Sequence, residues 1–200
     1  MGAGLWYIGL KENAMRSTLS KKHFEEIYEM LNREEVLDFD CGTLCGAACC
    51  TASRDNEDDM GIYLLPGEEL LHEDDDWMDI RVSDASEHDL PESWEGKVYF
   101  GRCKTPPICP RDRRPIQCRT FPLAPHIDED GELTLVYNDL ELPYVCPLIE
   151  EETPLEDDYV DAVLEAWSIL ITDPLIYDLV KMDSEAREDA LWELMDKLNL

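Results

Sequence analysis

The sequence is poor in positive charge: 17 Lys and Arg stand against 47 Asp and Glu, a formal net charge of -30. Proteins hold phosphate backbones with Lys and Arg that displace counterions, so nucleic acid is excluded as a partner of the surface as a whole. An anionic membrane face is excluded for the same reason. Carboxylates in such excess keep chains apart in solution. Long apolar runs are missing too. The most apolar stretch, Ala162 to Ile171, contains Glu165 and is too short to span a bilayer. The opening residues MGAGLWYIGLK lack the basic start and apolar segment of a signal peptide. Trp6 stands where a myristoylation signal needs Ser or Thr. A cytoplasmic protein is expected. Histidine is scarce, at four residues, and no C-x-x-C occurs, so the sequence is not that of a zinc ribbon. Nor does it carry the C-x-x-x-C-x-x-C of radical S-adenosylmethionine enzymes: Cys41 and Cys45 fit, but Ala48 takes the third position.

What is present fits one folded unit with a helical appendage. The chain has 200 residues and an ordinary hydrophobic content of 44%, enough for a real core. Ser20 is placed to cap a first helix, KKHFEEIYEMLN, whose Phe24, Ile27, Tyr28 and Leu31 repeat at helical spacing. GIYLLPGEELL reads as a strand entering a helix near Pro66. Residues 72–79 are acidic, 83–96 read as loop, and KVYF at 97–100 alternates as a short strand. Asp55 to Asp59 is expected to be exposed. Residues 127–137 read as a hairpin turning at Asp130 and Gly131. Beyond an acidic link, Val160, Val163, Leu164, Trp167 and Leu170 form one apolar stripe. Leu175, Ile176 and Leu179 form a second after Pro174. Ser184 is placed to cap a third helix bearing Ala190, Leu191, Leu194 and Met195. The expected fold is α+β, a small irregular cysteine-rich domain with short strands, flanked by N- and C-terminal helices. Residues 1–150 are assigned to a metal-binding domain with its N-terminal helix. Residues 151–200 are assigned to a helical extension packed on it.

The chemistry lies in eight cysteines. In a reducing compartment such a number points to metal or catalysis rather than to disulfides. CGTLCGAACC carries Cys41, Cys45, Cys49 and Cys50, with Gly42 and Gly46 freeing the backbone to wrap an ion. A continuous helical turn would also set Cys41, Cys45 and Cys49 on one face. The second group, Cys103, Cys109 and Cys118, lies in a stretch whose prolines exclude regular helix or central strand. Cys146 follows in LPYVCPLIEEE. Four thiolates close a zinc site, and four hold an iron–sulfur cluster, so the set suits one centre or two. Adjacent residues such as Cys49 and Cys50 rarely ligate one ion without strain, which points one of them toward a second metal or a redox step. His126, just beyond the second group, is a further candidate.

Charge marks the same place. Between Lys97 and Arg119 lie seven cations against Asp112 alone, in a chain that is otherwise acidic. Guanidinium groups there can offset thiolate charge and donate to sulfur, with Arg119 beside Cys118 the first choice. The segment 97–119 can equally pair with the acidic surface, or dock an anionic ligand or a protein partner.

The pair CGTLCGAACC and RRPIQCRTFPL resembles the YkgJ-type cysteine-cluster family of zinc- or iron-chelating proteins. The second segment is similar residue by residue at Arg114, Pro115, Cys118, Arg119, Phe121 and Pro122. LLPGEELL is similar to the segment that the family places between its clusters. The first cluster departs from the family's C-x-x-C-x-x-C-C by one extra residue at each gap. The resemblance spans roughly Phe39 to Cys146. It implies Cys41, Cys45, Cys49, Cys50, Cys103, Cys109 and Cys118 as ligands, to which the reading of the residues adds Cys146. It implies zinc or an iron–sulfur centre as cofactor. One branch resembles flagellin lysine-N-methylases, so a protein-modifying enzyme is an alternative to a metal-binding protein. A structural zinc module for protein interaction is another.

Overall fold

The computed structural model describes residues 17–51, 61–138 and 142–198, which fold as α+β. The segment around Trp6 and the stretch Asp55 to Asp59 lie outside the described residues. The helices are α1 (Lys21–Leu31), α2 (Gly42–Cys45), α3 (Ala48–Thr51), α4 (Ile116–Thr120), α5 (Pro147–Glu150), α6 (Asp157–Leu170) and α7 (Pro174–Leu198). The strands are β1 (Ile62–Tyr63), β2 (Met78–Asp84), β3 (Lys97–Cys103), β4 (Leu123–Ile127) and β5 (Leu133–Tyr137). No helix of the described residues is long and apolar enough to cross a membrane.

Helix α1 forms where its periodicity places it. Ser20 precedes it in extended backbone, and the Ser20 N–H donates to His23 Nδ1 at 2.9 Å. Phe24, Ile27, Tyr28 and Leu31 are buried on one face. Each such side chain contributes about 1.5–3 kcal/mol by leaving water. They meet the inner face of α6, where Tyr159, Ala162, Val163, Ala166, Trp167 and Leu170 are buried. Gly67 fits between α1 and the following turn because its φ is +97°, and a Cβ there would fall 2.9 Å from Phe24 Cε2. The helix expected after Pro66 is a single 3-10 turn, Glu68–Leu71.

Strand β3 is central in an antiparallel sheet of order β1-β3-β2. It runs on past KVYF to Cys103, which pairs with Met78. Strand β2 overturns the reading of 83–96 as loop from its start. Met78, Ile80 and Val82 alternate with Asp79, Arg81 and Ser83, and the ladder to β3 carries the strand to Asp84. The second correction is α4. Pro115 is tolerated as the residue that starts a helical turn, so the proline-rich stretch does hold a helix, over Ile116–Thr120. The β4–β5 hairpin turns as expected, with Asp128 Oδ1 accepting the N–H groups of Asp130 and Glu132 at 3.0 and 2.8 Å.

The third correction is at the C-terminus. Ser184 caps nothing: α7 runs unbroken from Pro174 to Leu198. Its start is capped by the buried Asp173, whose Oδ1 accepts the N–H groups of Leu175 and Ile176 at 3.0 and 3.2 Å. Ser184 lies inside the helix, donating back to Val180 O at 2.7 Å and accepting Ile127 N–H of β4 at 2.9 Å. The stripe expected on the last turns is not core, for Leu191 is 57% exposed. Ser184→Ala should leave the Ile127 N–H buried without a partner and cost about 1–3 kcal/mol in urea denaturation. Far-UV helicity should be unchanged, whereas removal of a true cap would lower it.

Candidate metal centre

The first cysteine group sits on two short helical turns rather than one helix. Asp40 Oδ1 accepts the Gly42 N–H at 3.0 Å and opens α2. At Gly46 and Ala47 the backbone becomes left-handed, with φ of 65° and 57°, and α3 starts afresh. Cys41, Cys45 and Cys49 therefore do not line one continuous helical face, which corrects that expectation. Ala47 holds a conformation that costs a residue with a Cβ about 1–2 kcal/mol, so the wrap is maintained by its surroundings.

The other four thiols come from four further places. Cys103 ends β3, Cys109 lies in the loop that follows, and Cys118 is in the middle of α4. Cys146 immediately precedes α5 and is buried with Leu37 and Leu148, with Cys41, Phe121 and Tyr144 packed against them. All eight cysteines are free thiols. Cys49 Sγ and Cys50 Sγ are 3.9 Å apart. Among the described residues no three His, Cys, Asp or Glu side chains already stand in a metal-ligating arrangement.

The thiols are nonetheless close enough to raise one another's pKa. Cys41 lies above its usual value through burial first, then through Asp40, Cys45 and Cys146. Cys103 is raised by burial and by Cys109 and Cys50. Cys118 is raised by desolvation, then by Cys50 and Cys103. By surface area Cys118 is exposed although protein surrounds its thiol, and it is the surface that governs access for an incoming ion. Cys49 and Cys50 are shifted in opposite directions by their mutual contact. Cys49 is pushed up, first by the hydrogen bond to Cys50, and Cys50 is held down, first by that same bond.

The basic segment is divided by its geometry. Arg114 is the cation at sulfur: its Nε donates to Cys109 Sγ at 3.1 Å. Burial works against its charge, but Cys109, Cys50 and Cys118 more than offset that and raise its pKa. Arg119, expected beside the thiolates, is held by other groups. Its guanidinium lies 4.3 Å over the Tyr28 ring and donates to Arg114 O and Asn32 Oδ1. Arg111 pairs with Asp40, and Arg113 with Asp75 at 2.9 Å and with Leu71 O. His126 lies on β4, where its Nε2 meets Glu188 of α7 at 3.3 Å. No contact links it to a cysteine among those found in the described residues.

Glu68 is the residue that sequence reasoning missed. It is completely buried, and its carboxylate accepts the Leu65 N–H at 2.9 Å, the Tyr28 hydroxyl at 2.7 Å and the Ile116 N–H at 2.7 Å. It thus ties α1 to the first residue of α4, two positions before Cys118. At the far end of α4 the Tyr159 hydroxyl faces the carbonyls of Arg119, Thr120 and Phe121 at 3.1, 2.8 and 3.1 Å. In sequence, Glu68 is one more acidic residue beside Glu69, and nothing local distinguishes it. Comparison with protein-family models, curated proteins and solved structures finds no match to the chain. Glu68→Gln should lower stability by about 1.5–3 kcal/mol, since an amide cannot accept all three donors. Glu73→Gln, at an exposed site, should change nothing measurable in the same denaturation series.

Proposed function

We propose that the chain is a metal-binding protein of the YkgJ-like cysteine-cluster type, holding zinc or an iron–sulfur centre through its clustered thiols. One observation carries this reading. Eight free thiols come with direct contacts around them: Cys49 Sγ and Cys50 Sγ are 3.9 Å apart, Cys41 packs against the small cluster that contains Cys146, and Arg114 Nε donates to Cys109 Sγ at 3.1 Å. Gathering them only as neutral side chains would bring no charge-driven gain, whereas a cation turns their mutual repulsion into shared attraction. The donor set fits the group, because soft thiolates suit zinc and iron–sulfur chemistry. Cys41, Cys45, Cys49, Cys50, Cys103, Cys109, Cys118 and Cys146 are the residues that would hold it, after inward rotation of thiols about χ1. When bound, the metal supplies a cation that fixes these loops in place. Arg114 donates to sulfur and offsets the excess charge of a thiolate site.

Anaerobically purified protein should contain zinc or iron at one or more centres per chain by elemental analysis. Folded protein devoid of both metals would overturn the reading. Arg114→Gln should weaken metal retention against a competing chelator, since it removes the donor at Cys109. Arg119→Gln should instead lower stability through the lost Tyr28 contact and leave retention close to wild type.

A further inference from the structure

Away from the cysteines, four polar side chains stand in a row inside the fold: Glu68, Tyr28, His72 and Asp75. Glu68, Tyr28 and His72 are buried, and the Asp75 side chain is only 12% exposed. The Tyr28 hydroxyl donates to Glu68 Oε1 at 2.7 Å and stands 2.9 Å from His72 Nε2. His72 Nδ1 stands 2.7 Å from Asp75 Oδ2. These three contacts need three hydrogens, one in each, because two bare acceptors repel. In their usual forms at neutral pH the groups supply two: one from the phenol, one from a neutral imidazole and none from two carboxylates. Tyr28 keeps its own, since burial, and then Glu68, pushes its ionisation well above the usual phenol range. One further hydrogen is required. The remaining contacts place it. Glu68 Oε1 also accepts the Ile116 N–H, and Oε2 accepts the Leu65 N–H, as suits a carboxylate. The single Tyr28 hydrogen is spent on Glu68, so its oxygen accepts from His72 Nε2. Asp75 Oδ1 is taken by Arg113 at 2.9 Å, which leaves Oδ2 to accept from His72 Nδ1.

We propose that His72 is a buried imidazolium donating from both ring nitrogens, which makes the tie between α1 and α4 a latch that takes up one proton when it closes. Asp75 at Nδ1 and Glu68 beyond Tyr28 favour the added charge. Arg113 beyond Asp75 and Arg119 over the Tyr28 ring oppose it, and the third neighbour of the ring, Trp77, is uncharged. Loss of the proton leaves one ring nitrogen bare against either Tyr28 or Asp75, so the row has to open on one side. On the Tyr28 side lies Glu68, which holds the first N–H of α4. On the Asp75 side lies Arg113 of the basic segment. The inference is independent of the metal-binding reading. Its sign follows from the proton count. Above about pH 6.5 a histidine of the unfolded chain is neutral. The folded chain then binds one proton more than the unfolded chain, and stability falls as pH rises. Below that value both states carry the proton and this dependence vanishes.

The informative substitution is Asp75→Asn in the full chain. The new amide can donate to His72 Nδ1 while its oxygen still accepts from Arg113, so every contact survives without the extra proton. Urea denaturation is followed for both chains between about pH 7 and 8.5, where unfolded histidine is neutral. The thiols and the other titrating groups are common to the two chains, so their contributions cancel in the comparison. The unfolding constant of wild type should rise about tenfold more per pH unit than that of the variant, as one proton requires. Equal slopes overturn the proposal. A second measurement does not depend on the variant folding. In nitrogen-15 NMR of folded wild type at about pH 7.5, a pH at which free imidazole is neutral, both His72 ring nitrogens should carry hydrogen. The signals are assigned by elimination with His23→Gln, His88→Gln and His126→Gln. A His72 ring protonated on one nitrogen alone overturns the proposal.

Discussion

The buried Glu68 carboxylate holds the rest of the structure in register. A carboxyl group without access to water is tolerated only when its oxygens are fully engaged, and here they accept from Leu65, Tyr28 and Ile116. Those three donors belong to the turn after β1, to α1 and to α4. Satisfying one acidic side chain therefore fixes where the short cysteine-bearing helix begins. A relay leads outward from the same point. Tyr28 meets His72 Nε2 at 2.9 Å, His72 Nδ1 meets Asp75 at 2.7 Å, and Asp75 meets Arg113 at 2.9 Å.

That relay sorts the arginines. Arg113 is drawn to Asp75 and Arg119 lies over Tyr28, which leaves Arg114 facing the thiols. Arg111 binds Asp40, next to Cys41, so it ties the basic segment to the start of the first cysteine group. The cations between Lys97 and Arg119 therefore act less as a uniform patch than as separate ties. Their salt bridges at the surface contribute little stability individually.

Much of the helical frame is legible in the sequence. The stripe of Phe24, Ile27, Tyr28 and Leu31, the stripe of Val163, Trp167 and Leu170, from which the exposed Leu164 drops out, and the Asp130–Gly131 turn all follow local periodicity or turn chemistry. Strand β2 was masked by its acidic neighbours, although its own residues alternate. Ser184 has the chemistry of a cap, but its hydroxyl is engaged by Ile127, a partner from a distant strand. Arg119 adjoins Cys118 along the chain, yet its guanidinium is engaged by the Tyr28 ring and by Asn32.

The sequence by itself determined the inventory: eight thiols in two groups and a tail, a basic stretch within a strongly acidic chain, and amphipathic helices to carry them. Those properties depend on residue type and short spacing. Tertiary structure decided which arginine reaches sulfur and that a single buried Glu68 orients α4. These depend on contacts between residues far apart in the chain, such as Arg111 with Asp40 and Tyr28 with Glu68. Local periodicity carries no information about such pairs, because the free energy that selects them is gained only when the whole core closes.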